Sequence, residues 1–453
     1  MSFLSGLMQS ITDRGRALVE QAPAWLLGRR DQLLDQLCHD LLSARGEASG
    51  VALASTILDR YEALSGQGRL EFLLMLVEQF GADMAAVDLA IANYQAKPSH
   101  AHLLALHQAA EPKRQELIRR LNLCHTGTQR LVRMREDIFQ HEGAHPELAA
   151  LDADFRHLFS SWFNRGFLVL RPIDWKTPAN ILEKIIRYEA VHAIRNWDDL
   201  RRRLEPADRR CFAFFHPQIV DEPLIFVEVA LTVDMASSID AVLSENRSIL
   251  APEKATTAVF YSISNCQAGL RGISFGHFLI KQVVEELQRL GLGLKTFVTL
   301  SPLPAFAQWL SQERANPTSD YINHETRLAL EALDRPDWHT DQALSESLKP
   351  VLLGLAAAYI LLARGPGRRM IDPVARFHLG NGARLERLNW AADLSRKGLQ
   401  QSHGLMVNYL YDLPSIEEQH EAFHNNGTIA SSGDVRQWLR LLQGAGGHGQ
   451  SLL

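Results

Sequence analysis

At 453 residues the chain exceeds one ordinary globular core, so two domains are the expectation. A composition of 46% hydrophobic and 22% charged residues is that of an ordinary soluble protein. The net charge of −5 gives no global pull toward nucleic acid, so an anionic ligand must be held by local positive potential.

Cys38, Cys124, Cys211 and Cys266 lie far apart with no C-x-x-C pair. That spacing argues against a zinc site and against a disulfide scaffold, and the four read as buried thiols in a reducing compartment. No apolar run reaches the roughly 18 residues of a membrane-spanning helix, the longest being 351–363. The first thirty residues are amphipathic and carry Arg14, Arg16, Arg29 and Arg30, but Asp13 and Glu20 interrupt what would be a mitochondrial leader. An ordinary helical start is expected. The chain ends Ser451-Leu452-Leu453 and not in the peroxisomal Ser-Lys-Leu.

Residues 31–159 read as helical throughout. Leu33, Leu34, Leu37, Leu41 and Leu42 recur at helix spacing, as do Leu70, Phe72, Leu73, Leu76 and Val77, with punctuation at Gly66, Gly68, Gly81, Pro98 and Pro112. Residues 1–160 are therefore expected to form a helical bundle and 161–453 a second domain. The cations Lys113, Arg114, Arg119, Arg120, Arg130, Arg133 and Arg135 alternate with Glu111, Glu116, Glu136 and Asp137, the pattern of a solvated helix face.

The texture changes near Asn164. A β-prone run at 166–170 is closed by Arg171-Pro172, helix resumes over 179–186, and strands follow at 211–215, 224–231, 257–263 and 295–300, each rich in Phe, Val and Ile. The run 223–231 is apolar on both faces apart from Glu228, which places it mid-sheet. Leu279, Ile280, Val283, Val284, Leu287 and Leu290 form one helical stripe. Residues 318–363 read as a helical insertion, and the tail after Pro414 as loop plus one short helix at 435–442.

Three stretches carry candidate chemistry. Between the strand at 257–263 and the helix from 278, Gly269, Gly272 and Gly276 permit close backbone approaches where the first N–H groups of a helix face outward, a seat for phosphate. Their spacing matches neither the dinucleotide fingerprint nor the nucleoside-triphosphate loop. Ser301 follows the strand at 296–299 and precedes Pro302, so its hydroxyl is presented from extended backbone at a strand end, where ligands gather. His378 lies in Phe377-His378-Leu379-Gly380-Asn381-Gly382-Ala383; its proton affinity suits acid–base work, although its apolar neighbours also suit plain packing. A third string, Ser402-His403-Gly404 through Asn408-Tyr409 to Tyr411, is not taken as catalytic.

Arg271 to Gly276 resembles the variant pyrophosphate loop of the acetyltransferase-type (GNAT) fold, which holds the diphosphate of coenzyme A. More specifically, Phe260-Tyr261-Ser262-Ile263-Ser264, Gly269-Leu270-x-Gly272, Leu300-Ser301-Pro302-x-Pro304 and the string at 377–383 closely resemble the malonyl-CoA decarboxylase family, over roughly residues 160–411. His277 and the region 311–370 depart from its pattern. The resemblance implies an α+β protein of two domains, an all-helical N-terminal bundle followed by a GNAT-like α/β domain with a helical insertion. It implies malonyl-CoA as substrate, decarboxylated to acetyl-CoA and carbon dioxide with neither metal nor organic cofactor, in fatty acid or malonate metabolism. The diphosphate would be bound by Arg271, Gly272, Ile273, Ser274, Phe275, Gly276 and His277. His378 would give a proton to the nascent acetyl carbon; Ser301, the family's proton acceptor, is a poor base without a partner and would instead orient His378 or the carboxylate. Nucleic acid and membrane are not expected as partners. The helical domain would mediate a homo-oligomer, dimer or tetramer, and a cytoplasmic protein is expected, with the mitochondrial matrix as the alternative. Two other readings share the loop: an acyl-CoA N-acyltransferase, and a non-enzymatic assembly protein that senses acyl-CoA.

Overall fold

The computed structural model describes residues 33–43, 46–273 and 279–444. The amphipathic start, the C-terminal tripeptide and four loop candidates, Ser274, Phe275, Gly276 and His277, lie outside the described residues. The chain divides into two compact units, Met1–Val169 with Phe215–Leu224 and Gln267–Gly276, and Leu170–Phe214 with Ile225–Cys266 and His277–Leu453. The boundary expected after residue 160 thus falls nearer Val169, and the first unit takes back two later segments.

In the first unit α1 (Leu34–Leu42), α2 (Glu47–Ala63), α3 (Gly66–Gln79), α4 (Met84–Ala96), α5 (His100–Ala110), α6 (Lys113–Leu121), α7 (Gly127–His141) and α8 (Leu148–Trp162) follow one another. Three of the starts are set by short polar caps: Ser65 accepts from the Gly68 N–H, Asp83 from Ala85 and Ala86, and Ser99 from His102. The predicted stripes supply the core, with Leu37, Leu41, Leu73 and Leu76 buried beside Leu117, Leu131, Ile138 and Phe155. Leu33, by contrast, is exposed, as are Met84, Leu89, Leu103 and Leu104 on α4 and α5. The expected solvated arginine face is also corrected. Arg135 is buried, donating to Asp152 at 2.7 Å, while Arg114 pairs with Asp154 and Arg130 with Glu62 at 2.8 Å. Arg135 and Arg114 neutralise carboxylates that the bundle has taken out of water, Asp152 and Asp154, whereas Glu62 stays exposed.

The second unit is built on an eight-stranded mixed sheet in the order β1-β2-β3-β4-β5-β8-β6, with β7 pairing β8. In chain order its elements are β1 (Val169–Ile173), α9 (Ala179–Tyr188), α10 (Trp197–Leu204), β2 (Arg209–His216), β3 (Ile219–Thr232), α11 (Ile239–Leu243), β4 (Thr257–Asn265), α12 (Leu279–Arg289), β5 (Thr296–Thr299) and β6 (Ser301–Pro302). There follow α13 (Phe306–Ala315), α14 (His324–Leu330), α15 (Gln342–Leu361), α16 (Pro373–Gly380), β7 (Arg384–Asn389), α17 (Arg396–Ser402), β8 (Met406–Leu410), α18 (Ile416–Asn426) and α19 (Gly433–Gly444). The molecule is therefore an α+β protein in which a helical unit precedes a mixed-sheet unit. The tail after Pro414 holds two helices, not one. Residues 351–363 largely belong to α15, whose twenty residues are long and apolar enough for a membrane span, yet more than half of that stretch is buried within the protein.

Strand β3 lies mid-sheet, and its one charge is buried: Glu228 meets Arg203 at 3.0 Å, and burial still raises its carboxyl to about 8. β4 runs antiparallel to β3 and parallel to β5, and the parallel pair is joined by the long crossover that such pairing requires, through helix α12. Pairing passes from Glu228↔Ser262 to Val229↔Phe260, so Tyr261 is a bulge. A cluster of Ala230, Val259, Tyr261, Val298, Leu300 and Met406 fills the sheet face beneath this point. Leu290 falls past the end of α12 and is exposed, unlike the rest of its predicted stripe.

Candidate active site

Ser301 is placed where the chain loses one strand neighbour and keeps the other. The β4–β5 ladder ends at Phe260↔Thr299, with the Leu300 N–H still donating to the Phe260 carbonyl at 2.9 Å, while β8, already paired at Val298↔Leu410, continues in the same register through Ser301↔Val407 and Pro302↔Met406. Pro302 keeps Ser301 extended, so its side chain falls on the same face as that of Thr299, two residues earlier. Its hydroxyl is buried on that face.

His378 comes from α16, whose start is tightly fixed. Asp372 caps it, accepting from the N–H groups of Val374 and Ala375 at 2.9 Å each, and Pro373 fills the first turn. The other Asp372 oxygen accepts from the Tyr359 hydroxyl at 3.3 Å, and burial raises this carboxyl above its usual range. A helix of eight residues held at its N-terminus in this way carries His378 on its inner face, buried with Ala375 and Leu379.

The two candidates meet. His378 Nε2 lies 3.0 Å from Ser301 Oγ, and its Nδ1 lies 2.8 Å from the Tyr411 hydroxyl. Ser301 Oγ–H donates to Thr299 Oγ1 at 2.9 Å. The Tyr409 ring stacks on the imidazole, centroids 4.7 Å apart and planes 24° from parallel. Burial alone pushes the His378 imidazole down to about 3 and holds the Tyr411 phenol well above its usual value. The constellation is a neutral imidazole locked by a hydroxyl on each nitrogen, able to accept or deliver a proton but reluctant to hold charge in the resting state.

Sequence reasoning did not select Thr299 or Tyr411. Each carried a signal: Thr299 shares a strand face with Ser301, and Tyr409 and Tyr411 alternate on one face of β8 and its extension. His403, set aside from sequence, sits in left-handed backbone with φ 51° and packs edge-on to Phe306, outside the Ser301–His378 contacts.

Of the loop candidates, Arg271, Gly272 and Ile273 are described, and they belong to the first unit. The Arg271 guanidinium lies 4.0 Å over the Phe139 ring, near Glu142, and remains largely exposed. Gly272 has φ +78°, and beyond its chain neighbours no atom of the described residues comes within 4 Å of where its Cβ would stand; Ile273 is buried. Gly269 has a different duty from the one its spacing implies. A Cβ there would sit 1.9 Å from the Val132 carbonyl, so this glycine lets the turn lie against α7. Arg135 fastens the same contact, donating to the carbonyls of Gly269 at 2.7 Å and Arg271 at 2.9 Å.

Comparison with known proteins bears on the whole chain. Residues 80–163 match the malonyl-CoA decarboxylase N-terminal domain, and residues 166–446 match the malonyl-CoA decarboxylase C-terminal domain. Crystal structures of malonyl-CoA decarboxylase from Rhodopseudomonas palustris and Agrobacterium vitis are similar at 59% and 57% identity with TM-scores of 0.86 and 0.85. The first alignment covers 89% of this chain and 98% of that one, the second 90% and 99%. The mitochondrial malonyl-CoA decarboxylase of Rattus norvegicus is 34% identical over 468 residues, 95% of this chain and 91% of the relative. With both domain families matched in order across most of its length, the chain belongs to the malonyl-CoA decarboxylase family.

Proposed function

We propose that this carboxy-lyase converts malonyl-CoA to acetyl-CoA and carbon dioxide through a thioester enolate that His378 protonates. The bond from the methylene carbon to the carboxylate breaks, and its electron pair moves into the thioester, whose oxygen takes the negative charge. Carbon dioxide leaves, and an imidazole proton goes to carbon. Family membership supports the overall reaction, and the observation that carries the residue roles is the 3.0 Å contact between Ser301 and His378 in a buried setting. An enolate carbon is a stronger base than imidazolate, so a neutral ring can serve as the acid. As Nε2 gives up its proton, Tyr411 at Nδ1 offsets the charge that would develop on the ring. Ser301 orients the imidazole or the malonyl carboxylate. A preorganised donor at the enolate oxygen contributes about 3–4 kcal/mol to such a step.

In this reading Arg271, Gly272 and Ile273, with the segment 274–277 that follows, hold the coenzyme A diphosphate. The left-handed Gly272, uncrowded by any described residue, suits close approach of phosphate to backbone. Arg271 would supply the local positive charge that the acidic chain as a whole lacks.

Incubation of the purified protein with malonyl-CoA and no amine acceptor tests the assignment. Acetyl-CoA and carbon dioxide in equal amounts are expected. Binding without product, or acyl transfer only after an amine is added, contradicts it.

A further inference from the structure

Ser301 has one hydroxyl proton, and it points to Thr299 across 2.9 Å. At the 3.0 Å contact between Ser301 Oγ and His378 Nε2, the proton must then come from the ring, since one hydroxyl hydrogen serves one bond. The imidazole is enclosed and neutral near pH 7, so it has a single proton to place. If that proton is on Nε2, Nδ1 becomes an acceptor, and the Tyr411 hydroxyl at 2.8 Å is the donor that satisfies it. Every bond in the row from Tyr411 through His378 and Ser301 to Thr299 therefore runs in one direction, and the direction is decided at Thr299.

Thr299 is fully buried and gripped from β8 on both of its polar groups. The Tyr409 N–H donates to its Oγ1 at 3.2 Å, and Asn408 Nδ2 donates to its carbonyl at 2.7 Å. Asn408 cannot turn over. Its Oδ1 accepts from Arg387 Nε at 3.0 Å and from Asn389 Nδ2 at 2.8 Å, and a guanidinium has no acceptor to offer a reversed amide. Arg387 is itself tied to the Met235 and Ala236 carbonyls at 2.8 and 3.1 Å. A charged, fixed anchor thus stands behind the residue that receives the serine proton.

We propose that Thr299, held by Asn408 and the Tyr409 backbone, is a positioning residue that keeps the His378 proton on Nε2, the nitrogen facing Ser301. The inference deepens the reading of His378 as proton donor and rests on it for its consequence: a ring protonated on Nδ1 would aim its only proton at Tyr411.

The test is selective ¹⁵N labelling of histidine, with the His378 resonances identified by their loss in His378→Gln. In the wild-type protein at pH 7, without substrate, Nε2 is expected to carry the proton. Thr299→Val keeps the shape but removes the acceptor, so the Ser301 proton turns to Nε2 and the ring proton moves to Nδ1. Turnover then falls about a hundredfold with KM for malonyl-CoA within about twofold, and Thr299→Ser restores both tautomer and rate. A wild-type ring protonated on Nδ1 overturns the proposal, as does a folded Thr299→Val variant with unchanged tautomer and rate. Should Thr299→Val fail to fold, the wild-type spectrum decides alone. Because that spectrum needs no substrate, a protein protonated on Nε2 that leaves malonyl-CoA intact would refute the proposed reaction and not this inference.

Discussion

In the proposed mechanism His378 is the proton donor, yet its surroundings strip it of the charge that usually makes histidine acidic. Burial pushes its imidazolium down to about 3, against about 6.5 for a free side chain, so the resting enzyme near neutrality holds an uncharged ring. The same burial has a consequence for stability. Above about pH 6.5 His378 is neutral whether the chain is folded or not; below it, the unfolded chain binds a proton that the folded protein excludes until pH approaches 3. Folding should therefore weaken as pH falls through this window, by about 1 kcal/mol between pH 6.5 and 5.5 from this residue alone. Urea melts of the wild type and of His378→Gln at both values measure it: the variant is expected to lose less stability on acidification, and an equal loss in both contradicts the assignment.

Elements with strong period or composition were readable in the sequence, and those whose form depends on distant partners were not. The strand at 257–263 and the stripe Leu279–Leu287 declared themselves because a buried β run and a one-sided helix each leave a local pattern. Helix α16 has only eight residues, too few for a period, and β8 is so enclosed that Met406 to Tyr409 show no alternation. Ser301 and His378 were legible as strings, yet their meeting was not. It is made where the β4 pairing stops at Thr299 while β8 goes on pairing the chain through Ser301, a junction of distant segments. The glycine turn was legible as a turn, but only packing shows that Gly269 serves α7. Replacing Gly269 by Ala drives a methyl into the Val132 carbonyl and should destabilise the protein by about 1–3 kcal/mol, through a shifted turn and a loosened Arg135 clamp. Gly272 has no such neighbour among the described residues, so Gly272→Ala is expected to cost about 1–2 kcal/mol for its left-handed backbone. Chemical denaturation measures both losses; wild-type stability in Gly269→Ala would show that the close approach is not real.

At the scale of the molecule, a helical unit and a mixed-sheet unit divide the recognised features. The second holds the complete Ser301–His378–Tyr411 constellation within its own core, and the first holds the described part of the glycine turn. If this constellation is the site, as proposed, its chemistry rests on a sheet and one short helix, elements that hold a proton donor more closely than loops do. The central claim is that delivery. Turnover of malonyl-CoA in deuterium oxide by the wild type and by His378→Gln tests it most directly. The wild type is expected to place one deuterium in each acetyl group, and the variant to lose turnover about a hundredfold or more while still binding coenzyme A. A His378→Gln protein that forms singly deuterated acetyl-CoA at close to the wild-type rate would contradict it.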